Sequence, residues 1–360
     1  MIEVDGSFGE GGGQILRTTL ALAAVLNREV RIYNIRAGRS EPGLRPQHLT
    51  AVRAIAEICS ASLEGLEVGS TEFVFRPGTR KSGQFRFDIG TAGSITLVLQ
   101  NLMPVFTFLR GRVEIDITGG TDVKWSPPVD YVRLVTLPIL AKMGYQGTLQ
   151  VARRGYYPKG GGKARFEAVT QTMLNPITEL ERGEVTKVIG VSHSLGLPRH
   201  VAERQAAAAE RVVLERGLPA PQIAIDISQG ESGLGPGSGI VLCALTSRGG
   251  VLGADCLGER GKPAEEVGST AGKMLVEELD SNGFLDRHMG DMIIPYMSLA
   301  EGISEISVTC VTQHTITNVK VAEQVAGVHF DSVGEIGQAG RLRVKGVGLR
   351  SEEYSVSPTG

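Results

Sequence analysis

The spacing of apolar side chains predicts alternating helices and strands along this chain. Between residues 46 and 60, apolar side chains at positions 49, 52, 55 and 56 recur at the three-to-four-residue spacing of a helix with one buried face. Residues 72–75 and 84–89 instead alternate apolar and polar side chains, as strands with one buried face do. Glycine clusters separate many of these segments, where turns between strands and helices are needed.

The predicted elements follow one another in an order that recurs three times: helix, strand, helix and a group of strands. The three copies begin with helices predicted over residues 14–27, 92–109 and 289–300. Recurrence in a fixed order indicates a repeated α/β unit. We therefore predict an α/β fold of the α+β type, built from three repeated helix–strand units that each have a small β-sheet.

A segment with its own order of elements separates the second copy from the third. It reads strand, helix, three strands and helix, which is typical of a second, smaller domain inserted into the first. We predict a discontinuous large domain of residues 1–183 and 283–340, which carries any catalytic site. Residues 184–282 form the inserted small α/β domain, and residues 341–360 form a C-terminal strand and tail.

Composition and charge narrow the classes of function. The 360 residues carry a net charge of -2 and only 5% aromatic side chains, which argues against a protein that coats long nucleic acids by bulk electrostatics. An enzyme that holds only the end of a nucleic acid remains compatible with these values. The longest apolar run, residues 95–109, is interrupted by polar residues and proline, and no signal peptide opens the chain. We expect a soluble cytoplasmic protein without a membrane span.

The glycine cluster at residues 9–13 lies directly before the first predicted helix. Successive backbone N–H groups at a helix N-terminus attract anions, and Glu10 adds a carboxylate that suits a divalent metal carrying phosphates. The cluster is not a Walker loop, because no Gly-Lys-Ser/Thr follows it. A tight turn with a solvent-exposed Glu10 explains the same residues equally well.

The loop before the second predicted helix carries three arginines, Arg36, Arg39 and Arg45. Guanidinium groups bind phosphate oxygens in a bidentate manner, and the glycines and prolines of the loop favour a preorganised site. A solvated basic loop is the alternative. His48, at the start of the helix, is more typical of a surface or capping histidine than of a ligand.

His314 is predicted to end a strand and to precede a helix. Ligands of α/β proteins bind beyond the carboxyl ends of strands, and a neutral imidazole there can act as a nucleophile or base. A structural, hydrogen-bonded histidine is equally compatible with this position. Asp291 is interpreted as a carboxylate at the start of a helix in the same repeat.

The only tryptophan, Trp125, follows a glycine turn at residues 119–122. It could line a pocket, but packing against the start of the next helix is the favoured interpretation. A glycine hairpin at residues 156–163 likewise offers basic and aromatic side chains.

Together these stretches resemble the RNA 3'-terminal phosphate cyclase family, over residues 3 to 333. The resemblance depends on the joint order of short motifs, each of which is unspecific alone. The matching motifs are GEGGGQILR (9–17), IRAGR (35–39), PGL (42–44), QHLTAV (47–52), FRPG (75–78), GGTD (119–122), YP with GGG (157–162) and LPRHVAER (197–204).

The resemblance implies a fold and a reaction. The large domain would contain three repeats, each like the C-terminal domain of translation initiation factor three, and the small domain would be inserted among them. The reaction would be an ATP-dependent conversion of an RNA 3'-terminal phosphate to a 2',3'-cyclic phosphodiester. It would proceed through a covalent histidine–AMP intermediate and an RNA-adenylate, and would release AMP and pyrophosphate.

The resemblance also implies roles for individual residues. His314 would be the nucleophile, Arg17, Arg36 and Arg39 would line the phosphate path, and Glu10 would hold Mg²⁺ or Mn²⁺. Nucleotide contacts would come from Gln47, Gly11, Gly12, Asp291 and Gln100, with Asp291 at the ribose or adenosine. Met292 departs from the polar residue expected after Asp291 in bacterial relatives, so the contacts to adenine are expected to differ.

Three other functions compete with this interpretation. A catalytically inactive, cyclase-like ribosome-assembly factor would share the fold but lack the nucleophilic histidine. An enolpyruvyl transferase would share the repeats and anion-binding arginines but would need neither ATP nor that histidine. A pure RNA-binding module is disfavoured by the charge and the scarcity of aromatic residues. RNA 3'-phosphate ends and ATP are the expected partners, and the oligomeric state stays open, with a homodimer as one option.

Overall fold

The computed structural model of this protein describes residues 1–9, 12–109, 111–169, 171–228 and 234–351, and it describes side chains in these ranges except at residues 332 and 333. The first repeat forms a sheet with the strand order β1-β2-β4-β3, in which β1 and β2 are parallel and the other pairs antiparallel. Its elements are β1 (Ile2–Asp5), α1 (Gly13–Leu26), β2 (Val30–Tyr33), α2 (Pro46–Ile58), β3 (Ser62–Glu64) and β4 (Phe73–Arg76).

The second repeat forms a sheet of the same design, with the order β5-β6-β8-β7 and one parallel pair, β5 with β6. Its second helix contains a π-helical turn, Val132–Thr136, between two α-helical segments. The elements are β5 (Gly83–Asp88), α3 (Ile95–Thr107), β6 (Arg112–Gly119), α4 (Val129–Tyr131), α5 (Leu137–Lys142), β7 (Gln146–Arg153) and β8 (Gly162–Val169).

A short strand, β9 (Thr178–Glu179), leads into a unit with a different sheet order, β11-β10-β12-β13. In this inserted unit β10 and β11 are parallel, and β12 is antiparallel to both of its neighbours. The elements are β10 (Val185–Leu195), α6 (Arg199–Glu215), β11 (Gln222–Ser228), β12 (Gly237–Thr246), β13 (Val251–Leu257) and α7 (Ala264–Leu279).

The third repeat resumes after the inserted unit and gives the sheet β9-β14-β16-β15. Strand β9 is parallel to β14, so this sheet has the same order and the same strand directions as the first two. The predicted fold of three repeated units and an inserted α/β unit is therefore confirmed. The elements are α8 (Arg287–Met292), α9 (Ile294–Leu299), β14 (Ile303–Val308), α10 (Gln313–Ala326), β15 (Phe330–Val333) and β16 (Gly340–Lys345).

The C-terminal strand belongs to the third sheet. The sequence analysis separates residues from 341 onwards as a C-terminal strand and tail, but β16 is hydrogen-bonded to β14 on one side and to β15 on the other. Its alternating burial, with Leu342 and Val344 in the core, is the pattern of a strand with one covered face. Residues 352–360 of the predicted tail lie outside the described ranges.

The core explains how the inserted unit joins the repeats. One hydrophobic cluster spans all three repeats, and a second lies within the inserted unit. Strand β12 contributes to both, since Ile240 and Leu242 face the second cluster while Val241 and Cys243 face the first. A strand buried on both faces reads as a continuous apolar run, as β12 does. In the described ranges, no helix combines the length and the apolar character needed to cross a membrane.

Buried charges tie the second repeat to the inserted unit. Arg154, which is 1% exposed, bonds Asp130 at 2.6 Å and Asp122 at 3.2 Å, and its Nε reaches Asp226 of β11 at 2.9 Å. His193 of β10 lies against the same group, with its Nε2 atom 3.4 Å from Asp122. Burial lowers the pKa of the Arg154 guanidinium, but the carboxylates of Asp122 and Asp130 outweigh that effect and leave the pKa raised.

The burial of His193 predicts that acid destabilises the protein. Burial first, and the charge of Arg154 second, lower the pKa of His193 to about 3, whereas an unfolded histidine titrates near its ordinary value. Between these two values the unfolded chain binds a proton that the folded chain does not, so stability falls as the pH falls from about 6.5 towards 3. Urea unfolding of wild type and His193→Gln at pH 7.5 and pH 5 measures this. The variant is expected to lose less stability on acidification, and an equal loss in both proteins would contradict the assignment.

Candidate functional site

The glycine cluster ends at the N-terminus of α1 and packs closely against α10. Gly12 is the N-cap of α1, and Gly9 has a left-handed φ of 60°. A Cβ atom at Gly9 would lie 2.5 Å from the Thr317 hydroxyl of α10, so no larger residue fits there without a shift. Two predicted site residues of this cluster, Glu10 and Gly11, lie outside the described ranges.

His314 lies in the first turn of α10, not at the end of a strand. The sequence predicts a helix that begins after His314, but Thr312 is its N-cap and its hydroxyl accepts a hydrogen bond from the Thr315 N–H at 3.0 Å. Strand β14 has already ended at Val308. Because Thr and Ser caps satisfy otherwise unpaired N–H groups, this reciprocal capping box starts the helix earlier. His314 therefore lies at the N-terminal end of α10, where it is partly buried. Its neighbour Gln313 lies close to Gly9, because a Cβ atom at Gly9 would be 3.2 Å from Gln313 Nε2.

Asp291 anchors this helix start. The prediction that it begins a helix is wrong, because Asp286 caps α8 and Asp291 lies near the end of that helix. Its Oδ1 atom accepts hydrogen bonds from the Thr312 hydroxyl at 2.8 Å and the Thr315 hydroxyl at 2.6 Å. The buried carboxylate therefore stabilises the turn that carries His314.

A buried asparagine joins the first repeat to the third. The Asn318 Oδ1 atom accepts hydrogen bonds from the Thr18 hydroxyl at 2.7 Å and from Gln14 Nε2 at 3.0 Å. On its other side, Asn318 Nδ2 donates to the backbone carbonyl of Asp291 at 2.8 Å. These bonds hold α1, α8 and α10 in one register, although the residues are about 300 positions apart in the chain.

Arg17 is a partly buried cation on α1, facing the same region. Its Nη2 atom donates to Gln14 at 2.6 Å, and its buried Nε has no hydrogen-bond partner in the described part of the chain. Burial lowers the pKa of Arg17 to about 10, which means that the folded protein disfavours its charge. A partly buried cation with an unused donor is compatible with an anionic ligand.

His48 lies beside Arg17 and is kept neutral. A Cβ atom at Gly13 would lie 3.0 Å from both Arg17 Nη1 and His48 Nε2, so the three residues meet. His48 Nδ1 accepts a hydrogen bond from the Arg45 N–H at 3.1 Å, which agrees with the capping role suggested by the sequence. Burial first, and then the charges of Arg17 and Arg36, lower the pKa of His48 to about 4.

Two clefts meet at Arg17. The first is lined by Gln47, His48 and Ser94 together with Gly13. The second is lined by Gln14, Gln100, Asp291 and Met292, together with other residues of α3 and α9. The structure thus brings the predicted residues Gln100 and Asp291 together on one side of Arg17 and places Gln47 on the other.

The residue after Asp291 takes part in the second cleft. The Gln100 Nε2 atom lies 2.7 Å from the sulfur of Met292. A thioether is a weak acceptor, so this contact leaves the amide less strongly held than a carbonyl or carboxylate would. Gln100 is partly buried and lies on α3, opposite α8.

The arginine loop has two different parts. Arg39 is exposed and its Nη2 lies 3.5 Å from the position that a Cβ of Gly12 would occupy, so it lies over the glycine cluster. Arg36 is partly buried, and its Nη1 atom donates to the carbonyls of Glu41 and Gly43 at 2.9 and 3.1 Å. Burial, followed by the charges of Arg45 and Arg39, lowers the pKa of Arg36. The hydrogen bonds of Arg36 therefore stabilise the conformation of the loop that carries Arg39.

Within the described residues, no group of three or more histidine, cysteine, aspartate or glutamate side chains could hold a metal ion. The predicted metal ligand, Glu10, lies outside those ranges. A metal carried by phosphate oxygens needs few protein ligands, as Mg²⁺ in phosphoryl-transfer enzymes illustrates.

The sequence interpretation missed several residues that build the site: Thr312, Thr315, Asn318 and Ser94. The pair Thr312 and Thr315 is spaced as a capping box, and this signal could have located the helix start. Ser94 also carries a local signal, because it is the N-cap of α3 and its hydroxyl accepts a hydrogen bond from the Leu97 N–H at 3.2 Å. Asn318 carries none, because its partners Thr18 and Gln14 come from the first repeat.

Comparisons with known proteins show the family of the chain. A family model described as RNA 3'-terminal phosphate cyclase matches residues 8–332. The chain belongs to the RNA 3'-terminal phosphate cyclase family. The matched range contains the glycine cluster, both clefts and the start of α10.

Curated members of the cyclase family are similar over nearly their whole length. A protein of Ignicoccus hospitalis named RNA 3'-terminal phosphate cyclase is 53% identical over 352 residues, which cover 96% of this chain and 99% of the relative. Proteins of the same name from Hyperthermus butylicus and Pyrococcus furiosus are 52% and 49% identical, and both matches cover 96% of this chain and 98% of the relative. These names favour an enzyme of this family over the ribosome-assembly alternative.

Proposed function

We propose that this cyclase converts the 3'-terminal phosphate of RNA to a 2',3'-cyclic phosphodiester at the expense of ATP, and that His314 carries the AMP in a covalent intermediate. The observation that carries the proposal is the meeting of two helix N-termini. The start of α10, with His314, contacts the glycine cluster at the start of α1, and Arg17 lies one turn further along α1. In this proposal the imidazole of His314 would act beside groups that are suited to bind phosphates.

The first step would form the protein adenylate. A ring nitrogen of His314 attacks the α-phosphorus of ATP, a nitrogen–phosphorus bond forms, and the bond to the β-phosphate oxygen breaks, so that pyrophosphate leaves. The capping box and Asp291 orient the first turn of α10 and therefore the imidazole. Covalent catalysis of this kind divides one difficult transfer into two easier ones.

The second and third steps would use the stored bond energy. An oxygen of the RNA 3'-phosphate attacks the same phosphorus, the bond to His314 breaks, and an RNA-adenylate forms. The neighbouring 2'-hydroxyl then attacks the 3'-phosphorus, loses its proton to solvent and expels AMP. One ATP is converted to AMP and pyrophosphate for each cyclic end.

We propose different roles in phosphate, adenosine and metal binding for the residues around Arg17. Arg17 and Arg39 would bind phosphate oxygens as negative charge develops, and Arg36 would hold the loop of Arg39 in place. The cleft of Gln100 and Asp291 would receive the adenosine, while Gln47 and Gly12 would line the phosphate side. A divalent cation, Mg²⁺ or Mn²⁺, would neutralise phosphate charge, with Glu10 as its proposed ligand.

The reaction can be tested with a synthetic RNA that ends in a labelled 3'-phosphate. With ATP and Mg²⁺ or Mn²⁺, the label is expected to become resistant to phosphatase. The matched control has a 2'-deoxy terminal nucleotide, which lacks the attacking hydroxyl and should stop at the adenylate. Because the adenylate also resists phosphatase, the two products are separated by gel electrophoresis, where the adenylate carries one extra nucleotide. Label that stays sensitive to phosphatase with every metal, in protein that is folded, would refute the cyclase proposal.

Replacing Arg17 is expected to lower the activity without lowering the stability of the protein. Because the folded-state pKa of Arg17 is lowered, its charge costs folding free energy at neutral pH, so Arg17→Met should be at least as stable as wild type. Loss of a charge-assisted bond to phosphate, worth about 1.5–3 kcal/mol, should slow transfer of AMP to the protein by tenfold or more. Thermal unfolding and labelling with α-labelled ATP measure the two effects. Arg53→Met, on the exposed face of α2, is the control that should change neither.

A further inference from the structure

The only tryptophan is held in solvent by a strained turn. Trp125 is 96% exposed, so the prediction that it packs against the following helix is wrong. Its φ of 63° lies in the left-handed region, which is unfavourable for a bulky residue. An exposed indole in such a conformation contributes little to packing, and strain of this kind clusters at ligand-binding sites.

A second exposed aromatic residue lies on the neighbouring loop. Tyr157 is 78% exposed, and the backbone bridge between Asp122 and Tyr156 sets the two loops side by side. Both loops carry an exposed lysine next to or near the aromatic residue, Lys124 and Lys159. Lys124 also pairs with Glu259 of the inserted unit at 2.9 Å, which fixes the first loop at the junction of the two units.

The loops that carry Trp125 and Tyr157 pack against the turn at residues 91–93, which borders the first cleft. A Cβ atom at Gly160 would lie 2.7 Å from the carbonyl oxygen of Thr91, and one at Gly120 would lie 2.5 Å from that of Ala92. The same turn reaches the first cleft, since a Cβ atom at Gly93 would lie 3.1 Å from Gln47. A surface therefore leads from Gln47, past residues 91–93, to the two exposed aromatic residues.

We propose that Trp125 and Tyr157 form a stacking platform for the unpaired bases near the 3' end of the RNA substrate. The proposal rests on the cyclase function proposed above. Proteins recognise single-stranded RNA by stacking bases on exposed aromatic rings, and lysines beside them neutralise the phosphates. Stacking tolerates any base, as an enzyme that processes RNA ends by their phosphate requires.

Because Trp125 is the only tryptophan, its fluorescence reports directly on the platform. Adding an oligoribonucleotide with a 3'-phosphate is expected to quench the emission, with the half-maximal concentration near the KM for cyclisation. An oligonucleotide of the same length that lacks the bases of its last three nucleotides should quench far less. Emission that stays unchanged at RNA concentrations that saturate cyclisation would overturn the proposal.

Kinetics of variants provide the second test. Trp125→Gly removes the ring and relieves the strained φ, so its thermal stability should not fall, whereas KM for RNA should rise roughly tenfold or more. Trp125→Phe should restore most of the affinity, and Tyr157→Ser should weaken it in the same direction. Leu214→Ala, at an exposed position of α6, is the remote control.

The failure of this inference can be distinguished from failure of the proposed function. Labelling by ATP alone, without RNA, should be unchanged in all four variants. If wild type cyclises RNA but the KM of Trp125→Gly equals that of wild type, the platform is refuted and the cyclase stands. If wild type forms neither protein adenylate nor cyclic ends, the proposed function is refuted together with the role given to the platform.

Discussion

Replacing His314 with alanine is expected to abolish ATP-dependent labelling of the protein and cyclisation of RNA, each by at least about a thousandfold, as loss of a covalent nucleophile does. The fold should survive, because His314 is only partly buried in the first turn of α10 and alanine is compatible with a helix. A denaturing gel after incubation with α-labelled ATP measures the first effect, and phosphatase resistance of labelled RNA measures the second.

A second histidine supplies the matched control for this experiment. His329 is exposed and pairs with Glu323 at 2.8 Å, remote from the start of α10. His329→Ala should label and cyclise at wild-type rates. Wild-type labelling of His314→Ala would instead mean that another residue accepts the AMP, and the assignment of the nucleophile would be abandoned.

Arg154→Leu is expected to cause the largest loss of stability. The guanidinium is the shared partner of the buried carboxylates of Asp122 and Asp130, so its removal leaves both with less compensating charge, although Arg133 still bonds Asp130 at 2.8 Å. Removing one partner of a buried ion pair costs about 3–5 kcal/mol. Urea unfolding at pH 7.5 should show this loss, together with loosening of the contact between the second repeat and the inserted unit.

An exposed ion pair supplies the matched control for this variant. Arg199→Leu removes an exposed pair with Glu203 and should cost less than about 1 kcal/mol. If Arg154→Leu were no more destabilised than Arg199→Leu, the buried charge group would not hold the units together.

The repeats were predictable from the sequence because the order of elements recurs. Short elements and the ends of helices were not predictable in this way. Strand β9 has two residues and no periodicity of its own, so only its pairing with β14 reveals that the third sheet matches the others. The start of α10 was misplaced because apolar spacing marks the buried face of a helix and says little about its cap. The strand β16 was separated from its sheet because sequence patterns do not show which strands pair.

The sequence motifs identified several residues of the candidate site. The glycine cluster, Arg17 and His314 were identified from motifs, and the structure brings their elements together. The role of Asp291 as an anchor was missed, because its partners lie 21 and 24 residues away across the third repeat. Trp125 was expected to pack, since most tryptophans are largely buried, and only its conformation and exposure reveal otherwise.

The most direct test of the account uses protein that already carries the AMP. Wild-type protein would be incubated with α-labelled ATP, freed of nucleotide, and mixed with RNA that ends in a 3'-phosphate, with the divalent metal but without ATP. The account predicts that the label leaves the protein as AMP while one cyclic end forms for each AMP released. Label that stays on the protein, in a preparation that cyclises the same RNA once ATP is added, would show that the covalent adenylate is not an intermediate.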